Sequence, residues 1–269
     1  MHIYIILCTF AEKKYITMAQ IVFITGASSG IGEACARKFA ASGYTLLLNA
    51  RDTTKLQALQ RELETTYSTE VVILPFDVRD RKAAEAALKE LPTKYQAIDI
   101  LINNAGLALG IDKEYEGSEE NYDTMIDTNI TALLMMTRLV VPSMVARGKG
   151  HIINIGSVAG DAAYPGGSVY CATKAAVKVL SDGLRMDLVD TPLRVTNVKP
   201  GLVETNFSVT RFAGDKERAD KVYQGIKPLR GEDIAEVVYF AASAPAHVQI
   251  DEVLVLATHQ ASGSIVHRK

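Results

Sequence analysis

The chain has 269 residues, of which 48% are hydrophobic, and a formal net charge of −2. That is enough apolar material for one large α/β domain, and with no run of like charges there is no electrostatic footprint for nucleic acid. Three scattered cysteines and five histidines without a short ligand spacing exclude a disulfide framework and predict no metal, and no stretch reaches the roughly 18 apolar residues of a membrane span. A reducing cytoplasm fits this composition.

Residues 2–10 form a short apolar run followed by Glu12, Lys13 and Lys14. The run lacks both a basic start and a small-residue cleavage site. Met18 is an alternative start, which would make residues 1–17 an upstream extension, either disordered or packed as an extra strand. The domain proper is expected over 18–269, without repeat, linker or low-complexity tract.

From Ile21 to Ile24 the chain is continuously apolar, as a parallel strand buried on both faces should be. It runs into Gly26, Ser28, Ser29, Gly30, Ile31 and Gly32, after which Cys35, Phe39 and Ala40 recur at helical spacing. Strand, glycine turn and helix together predict a phosphate site: the glycines allow close approach and the helix start presents unpaired N–H groups. A second strand over residues 44–48 ends at Asn49-Ala50-Arg51-Asp52. An acidic residue there would accept from a ribose 2′-OH, whereas arginine suits a 2′-phosphate. Arg51 beside Ala50 therefore favours NADP over NAD; the competing reading makes Arg51 a surface charge and Asp52 the ribose acceptor.

Leu56, Leu59 and Leu63 stripe the next helix, and residues 71–76 make a third strand ending at Asp77-Val78. Asp77 is a candidate acceptor for the adenine amino group, or else a cap for the helix starting near Asp80. A fourth strand over 98–102 ends in Asn103-Asn104-Ala105-Gly106, small residues that again permit close approach. A helix over 118–147 follows, with Asn129 in its middle, where asparagine is a poor helix former and must be either exposed or doing a polar job.

Residues 152–155 read as a fifth strand that delivers Ser157 to the same sheet edge, and thirteen residues later comes Tyr170, followed by Cys171 and, four residues on, Lys174. Tyr170 and Lys174 project from one helical face. A phenol with an ordinary pKa of about 10 is a poor proton carrier at neutral pH, and a nearby ammonium lowers it. That makes Tyr170 a candidate acid/base. Cys171 reads as a small packing residue. A sixth strand over 194–198 ends at Pro200-Gly201, and residues 206–230 are expected to form a mobile loop with one short helix near 216–223. A helix over 232–242, a seventh strand over 252–257 and a tail complete the chain. Arg211 in the loop is a candidate partner for a substrate carboxylate, against a salt bridge to Glu204 or Asp215. Arg185 is expected to be structural, near Asp182 and Asp187.

The alternation predicts a Rossmann-type doubly wound parallel sheet of about seven strands with helices on both faces, in a single domain. Over nearly all of residues 20–260 the chain resembles the short-chain dehydrogenase/reductase family. The matching residues are Thr25 to Gly32, Asn103 to Gly106, Asn129, Ser157, Tyr170 with Lys174, and Pro200-Gly201. Asn104 to Gly110, Ala163 to Lys174 and Gly201 to Phe212 look like its branch of NADP-dependent 3-hydroxy acid dehydrogenases, acting on serine, allo-threonine, 3-hydroxyisobutyrate or 3-hydroxypropionate.

The resemblance implies cofactor contacts from Asn104, Ala105, Gly106, Val78, Tyr170, Lys174, Pro200, Gly201, Val203 and Thr205. It also implies that Lys174 holds the nicotinamide ribose, that Asn129 anchors a water relaying protons from Lys174, that Ser157 and Tyr170 hold the substrate oxygen, and that the assembly is a homotetramer. A reductase of ketones or 3-oxoacyl thioesters is the alternative enzyme; a non-catalytic NADP sensor is the alternative of another class, and it would not need Ser157, Tyr170 and Lys174 together.

Overall fold

In the computed structural model, which describes residues 19–269, the apolar run Ile21–Ile24 forms strand β1 and is buried on both faces. Alternation sends Val22 and Ile24 to one side and Ile21 and Phe23 to the other, and each pair seeds one of two cores. The remaining strands are β2 (Thr45–Ala50), β3 (Val71–Pro75), β4 (Ile100–Asn103), β5 (His151–Ile155), β6 (Arg194–Pro200) and β7 (Glu252–Val255). All pair in parallel, in the order β3-β2-β1-β4-β5-β6-β7. Strands are thus added outward from β1 in both directions. Where the direction reverses, between β1 and β4, a crevice opens at the carboxyl ends of the strands. The expectations for residues 1–17 fall outside the described residues.

One core is closed by helices α1 (Gly30–Ala41), α2 (Thr53–Tyr67) and α9 (Gly231–Ser243), through Phe39, Leu56, Leu63, Ile234 and Val238. The other is covered by α3 (Arg81–Lys89), α5 (Ala132–Arg147) and the end of α6 (Ser168–Asp187), with Met136, Val140 and Met144 against Phe23 and Leu101. Each such fully buried aliphatic or aromatic side chain contributes about 1.5–3 kcal/mol relative to exposure. A buried polar chain positions α6 on this sheet: Asn103 on β4 donates to Asn154 on β5 at 2.9 Å, and Asn154 donates to Ser181 on α6 at 2.9 Å. That fixes the height at which the Tyr170 turn stands over the strand ends.

The structure adds detail to three expectations. Helix α4 (Glu119–Ile126) runs through a π-helical turn, Asp127–Thr131, into α5, so Glu119–Arg147 is one 29-residue helix apolar enough by composition to cross a membrane. Its Met125, Leu133, Met136, Val140, Val141 and Met144 are instead buried in the protein. Residues 206–230 hold two short helices rather than one, α7 (Asn206–Arg211) and α8 (Lys216–Lys221), capped by Thr205 and Asp215. Arg185 pairs with Asp182 and with Asp251 of the adjoining loop, not with Asp187.

Candidate active site

The glycine turn lies against the next strand end along the sheet. Thr25 Oγ1 accepts from the backbone N–H groups of Asn104 and Ala105, both at 3.0 Å, while the Asn104 amide donates to the carbonyls of Thr25 at 2.9 Å and Gly26 at 3.1 Å. Two positions demand glycine. Gly26 has φ +66° and already sits 3.0 Å from Ala105 Cα by the measure of an added Cβ, and a Cβ on Gly32 would stand 2.3 Å from the Gly26 carbonyl oxygen. Ser29, the N-cap of α1, makes no side-chain cap bond, so the first N–H groups of this twelve-residue helix remain to meet a phosphate.

From this turn a cleft of about 760 Å³ runs along the strand ends. One end is lined by Asn49, Arg51, Lys55, Asp77, Val78 and Arg79. Asp52 also borders it, but its carboxylate accepts from Lys55 N at 3.0 Å as the cap of α2, a bond that competes with a ribose. Asp77 does not cap α3; Asp80 does, accepting from Ala83 N at 3.0 Å. Asp77 instead takes both arms of Arg79, at 3.1 and 2.8 Å, with Arg51 at 3.9 Å. The Arg79 bonds hold its carboxyl below the usual range, so it is an anion at neutral pH. Three cations, Arg51, Lys55 and Arg79, therefore gather at one end of the cleft. Arg79 and Lys55 went unnoticed in the sequence, although Arg79 follows the β3 strand end by only a few residues. The cradle, the uncapped helix start and this cationic end fit a phosphorylated dinucleotide.

At the other end stand Ser157, Tyr170 and Lys174. Ser157 follows β5 and caps a 3₁₀ turn, accepting from Ala159 N at 3.1 Å. Tyr170 is 8% exposed, packed among Ala108, Met125, Ala159 and Cys171, with the Phe207 ring of α7 at 5.6 Å. Burial pushes its phenol above the ordinary value, while the Ser157 hydroxyl and the Arg211 guanidinium pull the other way. Lys174 is 6% exposed, donates to the Ile155 carbonyl at 2.8 Å, and is brought down to about 8 by burial. The Arg211 guanidinium also stands beside the phenol, 5.8 Å from its ring centroid, a second cation that the sequence does not pair with Tyr170.

Asn129 and Gly32 are the two sequence-chosen residues that do not line the cleft. Gly32 packs α1 onto the turn. Asn129, 2% exposed on the π-helical turn, donates to the Leu107 carbonyl and Thr173 Oγ1 and accepts from Leu107 N. It is buried and polar in its work, which resolves the choice left open by the sequence. A Cβ on Gly106 would lie 3.1 Å from Asn129 Oδ1 and 3.4 Å from Lys174 Nζ, so both groups converge behind that glycine.

Residues 202–230 arch over this end. Their two ends are pinched together where Leu229 N donates to Leu202 O at 2.9 Å and Glu204 N to Leu229 O at 2.8 Å. Arg211 makes neither expected salt bridge: Nε donates to the Gly110 carbonyl at 3.1 Å and Nη1 to the Tyr164 hydroxyl at 2.9 Å. Residues 258–269, read from sequence only as a tail, strap this arch. Gln260 accepts from Leu202 N at 2.8 Å, and Arg268 donates to the carbonyls of Val222 at 3.0 Å and Gln224 at 2.6 Å. No periodicity announces such contacts, because they join segments that are brought together only by the chain's return.

A family model described as short chain dehydrogenase matches residues 20–216. The chain belongs to the short-chain dehydrogenase family. Among its relatives is the NADP-dependent 3-hydroxy acid dehydrogenase of Schizosaccharomyces pombe, 45% identical over 251 residues that cover 93% of this chain and 97% of the relative. Sulfoacetaldehyde reductase 2 of Chromohalobacter salexigens is 42% identical, covering 91% of this chain and 96% of the relative. Among solved structures, the closed form of serine dehydrogenase complexed with NADP+ superposes with a TM-score of 0.87 at 45% identity, covering 93% of this chain and all of that one. The doubly wound sheet is thus the fold of this short-chain dehydrogenase, as its strand and helix alternation requires.

Proposed function

We propose that this short-chain dehydrogenase is an NADP-dependent oxidoreductase acting on CH–OH groups, and that its substrates are small 3-hydroxy acids such as serine, allo-threonine, 3-hydroxyisobutyrate or 3-hydroxypropionate. One observation carries the reading. Arg211, a half-buried cation whose two side-chain partners are neutral oxygens, lines the same cleft end as Ser157 and Tyr170. A guanidinium suits a carboxylate. The names of the relatives agree, since a 3-hydroxy acid and sulfoacetaldehyde both carry an anionic group two bonds from the reacting carbon.

Bound NADP supplies or accepts the hydride. The remaining work belongs to side chains of this chain. In the oxidation direction Tyr170, once its own proton has passed to Lys174 and it stands as phenolate, takes the hydroxyl proton, and Ser157 holds the substrate oxygen where charge develops. Lys174, buried and close to its own titration point, exchanges the proton onward; Asn129, with one lone pair of Oδ1 left, holds a water on that route. Arg51, Lys55 and Arg79 take the 2′-phosphate, and the glycine turn takes the pyrophosphate.

The chain is further proposed to work in the cytoplasm as a homotetramer. Large apolar residues are exposed on two separate sets of elements, Leu134, Val179 and Met186 on α5 and α6, and Phe240 and Leu254 on α9 and β7. A dihedral tetramer needs two interfaces of this kind.

Protein mixed with NADP+ and a panel of hydroxy acids is expected to yield reduced cofactor with 3-hydroxy acids and far less with unsubstituted alcohols of equal length. Tight NADP+ binding without turnover of any hydroxy acid would overturn the proposal in favour of a sensor.

A further inference from the structure

Tyr164 touches the Arg211 guanidinium twice. Its hydroxyl accepts from Nη1 at 2.9 Å, and the guanidinium carbon lies 5.4 Å from its ring centroid. Arg211 is anchored from the other side by Gly110, which accepts from Nε at 3.1 Å and whose N–H donates to the Arg211 carbonyl at 2.9 Å. A guanidinium has five N–H donors, so three remain.

The tyrosine is held as firmly as the arginine. A Cβ on Gly167 would stand 2.1 Å from Tyr164 Cε2, and one on Gly263 would stand 3.6 Å from Cδ1, so the ring fills a slot between two glycines. Its carbonyl accepts from Gly167 N at 3.0 Å, which closes the turn leading into α6 and Tyr170. The hydroxyl accepts from Arg211, and its own proton meets the Cys171 thiol, a weak acceptor that an anionic oxygen displaces. Burial raises the phenol, so that proton stays on at neutral pH.

We infer that Tyr164 is a specificity-determining residue: its O–H and the Arg211 guanidinium form a two-part cradle for the anionic end of the substrate, set at a fixed span from Tyr170. The inference rests on the reading that Arg211 binds the carboxylate. Tyr164 and Tyr170 lie on one short turn and the first turn of α6, so the span between the anion cradle and the proton carrier is set by rigid backbone. An acid whose hydroxyl lies nearer to or farther from its carboxylate than in a 3-hydroxy acid would satisfy only one of the two.

The test compares wild type, Tyr164→Phe and Arg211→Ala, each with 3-hydroxypropionate and with 1-propanol, which has the same carbon count without the charge. Tyr164→Phe keeps the ring and is expected to raise KM for 3-hydroxypropionate about tenfold, with kcat and the kcat/KM for 1-propanol each within about twofold, as loss of one bond to a charged group implies. Arg211→Ala is expected to raise the same KM by roughly a hundredfold. If Arg211→Ala leaves that KM unchanged, the carboxylate reading itself falls. If Arg211→Ala raises it while Tyr164→Phe does not, or if Tyr164→Phe lowers kcat/KM equally for acid and alcohol, the role of Tyr164 is overturned alone. Should Tyr164→Phe fail to bind NADP+, Arg211→Lys, which keeps the charge but loses the fork shared with Tyr164, decides in its place by the same expected KM rise.

Discussion

At the end that the glycine turn borders, the cleft is walled by two short turns, Gly26 to Gly32 and Asn104 to Gly106, which Thr25 and Asn104 lock to each other. At the substrate end nearly every contact joins distant segments, Arg211 with Gly110, Arg211 with Tyr164, Gln260 with Leu202 and Arg268 with Val222. The first end rests on strands that are almost wholly buried; the second is an arch of two six-residue helices on half-exposed backbone. Helices that short owe their form to caps and tertiary contacts rather than propensity. The difference teaches that the cofactor end is inseparable from the fold, whereas the substrate end can change its ligand at little expense to stability.

Three substitutions probe that contrast. The largest effect is expected at the seam: Tyr170→Phe should lower kcat by about 10²–10⁴ while melting temperature and NADP+ affinity stay near wild type. Near-normal turnover in a steady-state assay would remove Tyr170 from the chemistry. Next, Gly32→Ala drives a methyl group to 2.3 Å from the Gly26 carbonyl oxygen and should destabilise the protein by about 1–3 kcal/mol. Thermal melting is expected to fall by about 2–4 °C for each kcal/mol, together with weaker NADP+ binding; an unchanged melt would show that the turn is not part of the fold's rigid half. The smallest effect is expected from Arg51→Ala, whose side chain is 69% exposed. Titration should give NADP+ affinity roughly tenfold lower, an ordinary loss for an exposed charge-assisted contact, with NAD+ affinity and stability unchanged. Equal losses for both cofactors would mean that Arg51 does not meet the 2′-phosphate.

Legibility in the sequence followed the same division. The apolar runs of β1, β4 and β5 and the glycine turn were plain, because a strand buried on both faces and a helix start that turns tightly each need particular residue types within a few positions. Asn129 stood out as an unsuitable helix residue, and its burial with Leu107 and Thr173 explains why it is there. Arg211 was found, but its partners were not. Acidic neighbours in sequence, Glu204 and Asp215, suggested a salt bridge, whereas the fold presents the Gly110 carbonyl and the Tyr164 hydroxyl. Arg79 and Lys55 were passed over because each looks like any other surface cation until the ends of β2 and β3 are set side by side.

The sequence by itself determined the doubly wound sheet, the glycine turn at the start of α1, and the spacing of Tyr170 and Lys174 on one helical face, since each follows from periodicity or turn chemistry within a few residues. Only the tertiary structure decided what surrounds Tyr170 and Arg211, and that residues 258–269 strap the arch over the cleft. Those outcomes depend on contacts between segments far apart in the chain, such as Arg268 with Val222, 46 residues away, and Arg211 with Tyr164, 47 residues away. Such contacts are settled by how helices and strands pack, and packing leaves no local pattern along the chain.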